Sequence, residues 1–313
     1  MTTDLSAVLS SVLPILLLIV LGAVLGRTGL LDNGTVAGLK RLIVNVALPA
    51  VLFTTFLSTR FEAQHIALVA VVFALCIVLL GLGFGFRSLA RGGRYQPYLF
   101  TGFELGMMGF ALFAAGFGSE QLPALGVLAL GHEVFIWFVF VSLLRSAGAQ
   151  RQRASALVRE LATSPTIIAI VLGLAANFVG LGPLISSGPI GGALMTTLKY
   201  LAAVIVPMVL LIVGQGVRLS RTGIRRALPL VLTRLALTVG LALLLGHWVT
   251  TGLGLDPIYA KALFTLLVLP PPFIVPLFIP DGHADDLDYT NNVLSLYSLA
   301  TVAVFVTYVA VVG

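Results

Sequence analysis

Apolar and polar positions alternate along this chain in long blocks, leaving ten apolar runs near 7–26, 40–58, 66–86, 97–118, 122–144, 164–181, 197–217, 227–249, 258–280 and 289–312. Each approaches the roughly 20 residues that an α-helix needs to cross a hydrocarbon core. The connectors are short, and no soluble domain of any size fits between the runs. The pattern predicts an all-α polytopic membrane protein with ten transmembrane helices.

Two of the runs carry residues that an unbroken span does not tolerate. The fourth reads Thr101-Gly-Phe-Glu-Leu-Gly-Met-Met-Gly109, with the carboxyl of Glu104 among Gly102, Gly106 and Gly109. A bare carboxylate is costly in hydrocarbon, and clustered glycines weaken a helix. The ninth reads Leu269-Pro-Pro-Pro-Phe-Ile-Val-Pro276, and Pro270, Pro271 and Pro272 cannot sit inside a continuous helix. Two interrupted spans at matching places in two halves point to the binding site of a secondary transporter.

Charge orients the set. Arg27, Lys40 and Arg41 flank the first connector, and Arg87, Arg91 and Arg94 lie at the third. Arg145, Arg151, Arg153 and Arg159 fill the fifth, and Arg218, Arg221, Arg225 and Arg226 the seventh. The even connectors hold little besides Arg60 and Lys261. The positive-inside rule makes the odd connectors cytoplasmic and both termini non-cytoplasmic. The ninth connector is acidic (Asp281, Asp285, Asp286, Asp288), which weighs little in that rule. Met1-Thr-Thr-Asp-Leu-Ser6 lacks the positive charge of a signal peptide, so the first run is expected to be a retained span.

Composition agrees: 59% of residues are hydrophobic and only 10% charged, against about 25% charged in soluble domains. The net charge of +6 sits at span ends and reads as orientation, not nucleic-acid affinity. The single cysteine, Cys76, leaves no internal disulfide and is expected to be a small apolar residue on a span.

An internal repeat is visible. Pro14-Ile-Leu-Leu-Leu-Ile-Val-Leu-Gly22 recurs as Pro165-Thr-Ile-Ile-Ala-Ile-Val-Leu-Gly173, and Gly29-Leu30 recurs at the same offset as Gly180-Leu181. Pro49 and Pro207 occupy the middles of the second and seventh runs. The unit is five spans, over 1–150 and again over 151–313. An odd number of spans inverts the second copy, the arrangement of alternating-access carriers.

The run Arg41-Leu-Ile-Val-Asn-Val-Ala-Leu-Pro-Ala-Val-Leu-Phe53, the opening Ser164-Pro-Thr-Ile-Ile-Ala-Ile-Val-Leu-Gly173 and the proline-rich ninth run together resemble the auxin efflux carrier family, whose bacterial members include malonate and malate permeases. The resemblance covers the whole chain. It implies a scaffold of helices one, two, six and seven, and a moving transport bundle of three to five and eight to ten. Helices four and nine would cross at their breaks and form the substrate site. Where many family members carry Asn-Thr-Gly and then a Gly-Leu-Pro type sequence, this chain has Glu104-Leu105-Gly106 and Gly109-Phe110-Ala111. An ionisable group stands in place of a neutral amide, and the proline is absent.

The candidate site residues follow. A desolvated carboxyl takes up a proton more readily, so Glu104 is a candidate for proton coupling or cation binding; the alternative is a structural acid bonded to unwound backbone. In the fifth run His132, Glu133 and Trp137 span just over one turn, with Glu133 and Trp137 on one face. By position they match polar residues that the family uses at its substrate, and His132 beside Glu133 is a possible proton relay. The alternative is a Glu133 that pairs with a base to hold the bundle. The Pro270–Pro272 break would expose carbonyls and half-helix ends, or be a kink without a ligand. Asn45, one turn before Pro49, either satisfies backbone freed by that proline or faces the cavity. Asn291 and Asn292 are expected to cap the tenth helix, and Lys199 and Arg234 to be interfacial anchors. Gln215 and His247 lie near span ends.

An enzyme is not expected. Asp285-Asp-Leu-Asp288 is superficially like the metal-binding acids of membrane prenyltransferases, but only one such cluster exists, and it reads as a solvated connector. No intramembrane aspartate pair and no Walker motif occurs. The expected function is secondary active transport of a small organic anion by an elevator-type shift, coupled to a proton, with no cofactor or metal. The alternatives are a sodium-coupled carrier like the bile-acid symporters and a non-transporting membrane receptor or sensor. The expected setting is a bacterial inner membrane, with the lipid bilayer and a possible homodimer as partners.

Overall fold

The computed structural model describes residues 5–59, 63–90, 93–147, 163–182, 185, 188–216, 221–280 and 282–312. The boundary expected between 150 and 151 lies outside them, as do Arg60, Arg91, Arg151, Arg153, Arg159, Arg218 and Asp281.

Every regular element among the described residues is helical. Helix α1 is Leu5–Arg27, α2 is Asn33–Ser58, α3 is Ala63–Ala90 and α5 is Ser119–Ala147. Helix α4 comprises a 3-10 turn at Gln96–Leu99, an unwound segment, a π-helical turn at Leu105–Gly109 and Phe110–Phe117. Helices α6, α7 and α8 are Pro165–Phe178, Pro189–Gly216 and Arg221–Gly252. Helix α9 is Pro257–Val268, followed past an unwound segment by a 3-10 turn at Val275–Phe278; α10 is Ala284–Val312.

Among the described residues six helices (α2, α3, α5, α7, α8 and α10) are long and apolar enough to cross a membrane, and shorter apolar helices lie at Leu13–Arg27, Pro165–Phe178 and Pro257–Val268. Large apolar side chains such as Leu17, Val20, Phe178, Ile190 and Leu244 are exposed, as lipid contact requires. This is a multi-pass membrane protein.

Local signals place several helix starts, some of them outside the apolar runs. Pro165, Pro189 and Pro257 each fill an early helical position whose N–H has no intrahelical partner, and Asp256 Oδ1 accepts the Ile258 N–H at 2.8 Å. Helix α10 begins five residues before its expected limit of 289, so Asp285 and Asp286 form its first turn, where acids suit the helix dipole. Asn292 is therefore no cap: it is buried two turns inside α10 and packed against Gly223 of α8. Arg145, expected in a connector, is buried at the end of α5 with its guanidinium 5.5 Å from the Phe278 ring.

Packing sorts the helices into two groups. In the first, α1 lies along α7 and α2 along α6. Gly22 faces the Leu211 carbonyl and Gly214 faces the Ile19 carbonyl, so a side chain at either position would collide with backbone. Asn177 of α6 shares its amide among the carbonyls of Phe56, Leu57 and Thr59 at 2.7–2.9 Å, satisfying the end of α2. In the second group α3 packs on α5 and on the start of α4, and α8 packs on α9 and α10. The groups meet where the π-helical turn of α4 touches α2 and α7, and where Gly126 of α5 lies against Thr55 of α2. Gly29 and Gly180, seven residues after Gly22 and Gly173, both take a left-handed conformation, at φ 81° and 73°.

Candidate functional site

The two unwound segments meet. Glu104 N–H donates to the Pro270 carbonyl at 2.8 Å, and Glu104 Oε2 accepts from the Phe273 N–H at 2.6 Å. Backbone at this depth must find partners inside the protein. The prolines of α9 remove donors and free carbonyls, and Glu104 supplies both a donor and an acceptor to the facing chain. Its side chain is 9% exposed. Gly102 permits the approach: its φ is +66°, and a Cβ there would stand 2.8 Å from Pro272 Cγ. Gly109 lies against Leu269, and Gly106 faces Leu48 of α2.

Helix α5 closes one side. His132 Nε2 lies 3.0 Å from Phe103 N, and a backbone N–H can only donate, so Nε2 accepts. The ring proton is thereby placed on Nδ1, which donates to Glu133 Oε1 at 3.2 Å. Trp137 Nε1–H donates to Glu133 Oε2 at 3.0 Å. One chain of bonds thus runs from Trp137 through Glu133 and His132 to the backbone beside Glu104. Glu133 shares a helix face with Gly126, two turns before it, which packs on α2.

Helix α8 supplies a cation that the sequence reading placed wrongly. Arg234, expected as an interfacial anchor, is 0% exposed. Its guanidinium donates to Leu99 O at 2.8 Å, Gly102 O at 2.6 Å and, more weakly, Leu269 O at 3.5 Å. It also lies 5.2 Å from the Phe103 ring and 4.9 Å from the Tyr297 ring. Next to it Thr301 of α10 donates to the Val268 carbonyl at 2.6 Å. A depth estimate could have found Arg234. It lies eight residues beyond Arg226, and a helix rises about 1.5 Å per residue, which exceeds a snorkelling side chain's reach.

Asn45 and Pro49 stand apart from this cluster. A π-helical turn at Ile43–Ala47 precedes Pro49, and the exposed Asn45 amide donates to Arg41 O at 2.8 Å. Pro270, Pro271 and Pro272 are buried in the break itself. A cavity of about 550 Å³ lies between the two helix groups. Its walls are Val51 of α2, Phe110 and Ala114 of α4 and Ile205 of α7, with Glu120 and the exposed Lys199 at its polar end. It begins one residue past Gly109.

No family model matches the chain. Over 211 residues, 65% of its length, it is 27% identical to a protein of Methanothermobacter thermautotrophicus described as an uncharacterized transporter. The aligned stretch spans 66% of that relative, just under two thirds.

Proposed function

We propose that this protein is a secondary active carrier of the auxin efflux carrier type, moving a small organic anion together with a proton. The observation that carries the reading is the double bond of Glu104 to the facing break, through Pro270 O and Phe273 N–H. A carboxylate already occupies the N–H that a substrate carboxylate would use. Protonation of Glu104 weakens its hold on that N–H, so an incoming anion can compete for it and replace the lost charge. Anion and proton then occupy the site together and move together. His132, Glu133 and Trp137 form the adjoining polar wall. The cavity that begins beside Gly109 is the approach path, with Lys199 drawing anions to its polar end.

In this reading α1, α2, α6 and α7 are the scaffold and the other helices the moving bundle, arranged as two inverted five-helix repeats in an inner membrane with both termini outside. The matching left-handed Gly29 and Gly180 support the repeat, and the two packing groups support the division. The transporter relative supports carriage of a solute. The scaffold's exposed apolar faces suit lipid or a second copy of the chain.

The test is uptake into proteoliposomes of labelled malonate, malate, indole-3-acetate and taurocholate under imposed proton or sodium gradients. Uptake that follows the proton gradient in the wild type, with Glu104→Gln losing that dependence while still exchanging substrate, is the expected result. If no gradient drives uptake of any of them, yet one raises thermal stability, the coupled-carrier reading fails and a sensor takes its place.

A further inference from the structure

We infer that Arg234 is a resident cation of the crossing, holding the carbonyl ends of both broken helices together in the place a loosely bound metal cation would otherwise take. Leu99 ends the 3-10 turn that opens α4, Gly102 lies in the unwound segment after it, and Leu269 caps the first part of α9. The carbonyl ends of helical segments carry partial negative charge. Carbonyls of both breaks converge here: one guanidinium donates closely to Leu99 and Gly102 and, at 3.5 Å, weakly to Leu269 at the end of the first part of α9. The Phe103 and Tyr297 rings add their negative faces. Among the described residues no carboxylate pairs with Arg234. A charge buried this completely needs compensation, and carbonyl dipoles and ring faces supply it at the two terminal nitrogens, while Nε is buried without a hydrogen-bond partner.

The shape of the charge matters. A guanidinium is planar and presents donors in several fixed directions, whereas an ammonium is a compact point charge. Arg234 is therefore a positioning residue that sets the spacing of the two breaks, and a sodium ion has no role at these carbonyls. Transport that uses no sodium at these carbonyls is the one consequence that rests on the carrier reading.

The experiment measures melting of the purified protein in detergent for wild type, Arg234→Gly, Arg234→Met and Arg234→Lys, each in sodium or potassium chloride and with low millimolar guanidinium or methylguanidinium. Arg234→Gly is expected to melt roughly 5–10 °C below wild type, with either organic cation restoring at least half of that loss. Arg234→Met is expected to show a loss that no cation restores, and Arg234→Lys an intermediate loss. Sodium is expected to leave the wild type unchanged relative to potassium. An Arg234→Met protein as stable as wild type overturns the inference, as does saturable stabilisation of the wild type by sodium. If Arg234→Gly does not fold, Arg234→Lys decides: melting equal to wild type overturns the proposal. These readings need no substrate, so they stand apart from the uptake test. Sodium-dependent uptake by the wild type would refute the transport consequence alone.

Discussion

Glu104 and Phe273, 169 positions apart, share a 2.6 Å hydrogen bond in which the carboxylate of one break accepts the backbone N–H of the other. With the 2.8 Å bond from Glu104 N–H to Pro270 O, it makes one residue of α4 both donor and acceptor to α9. Arg234 completes the balance from α8. The crossing carries a carboxyl group at a freed N–H and a guanidinium at freed carbonyls.

The bond separates geometry from charge. Glu104→Gln keeps an oxygen to accept the Phe273 N–H and removes the ionisable group. It is expected to melt within a few degrees of wild type, about 1 kcal/mol or less. Glu104→Ala leaves a buried N–H without an acceptor and is expected to cost about 1–3 kcal/mol. Equal melting of the two variants would show that the bond contributes nothing to holding the breaks together.

Gly102 and Gly254 form a matched pair of left-handed glycines, at φ 66° and 63°. A Cβ at Gly254 meets nothing within 4 Å, whereas one at Gly102 would press on Pro272. Gly254→Ala is expected to cost only the backbone term, roughly 1–2 kcal/mol. Gly102→Ala should exceed it by about 1–3 kcal/mol, because the neighbour is a rigid ring in a packed break. Denaturation midpoints of the two variants give the difference directly. A Gly102→Ala loss no larger than that of Gly254→Ala would mean that the breaks separate easily.

Much of this architecture was legible in the sequence, and the reason is chemical. The bilayer demands long apolar runs, and departures from them stand out, as Glu104, the glycines beside it and Pro270–Pro272 do. Helix limits were less legible, because hydropathy reports hydrocarbon thickness while helices continue into polar flanks. Asp285 and Asp286 looked like a connector for that reason and are the first turn of α10. Partners distant in the chain were the least legible. Nothing local to Arg234 reveals that its carbonyls lie 135 and 132 positions away in α4, and the bond from Glu104 to Phe273 is equally remote. The His132–Glu133 neighbours were visible as a pair, but the Phe103 N–H that fixes the imidazole tautomer was not.

His132 is expected to hold the unwound segment of α4 through its acceptor nitrogen. His132→Leu orphans the Phe103 N–H and removes a donor from Glu133, at an expected cost of about 1–3 kcal/mol. His132→Gln offers a carbonyl oxygen and an amide donor on one side chain and should recover part of that loss. If the leucine variant is as stable as the glutamine variant, the Phe103 bond is not supporting the break.

Cys76 gives a direct view of whether the break is packed in the resting protein. It is the only cysteine, it is fully buried on α3, and its carbonyl accepts a 2.6 Å bond from Thr101, the residue just before Gly102. A thiol reaches a maleimide only when α3 separates from that segment, so native protein in detergent is expected to label slowly and denatured protein at once. Thr101→Val removes the bond while preserving the shape. It should lower stability by about 1 kcal/mol and accelerate labelling severalfold, in proportion to the larger open population. Immediate stoichiometric labelling of the native wild type would mean that α3 does not cover the break. Labelling that is slow in the wild type and unchanged in Thr101→Val would place the protection in apolar packing, leaving the Thr101 bond without a measurable share.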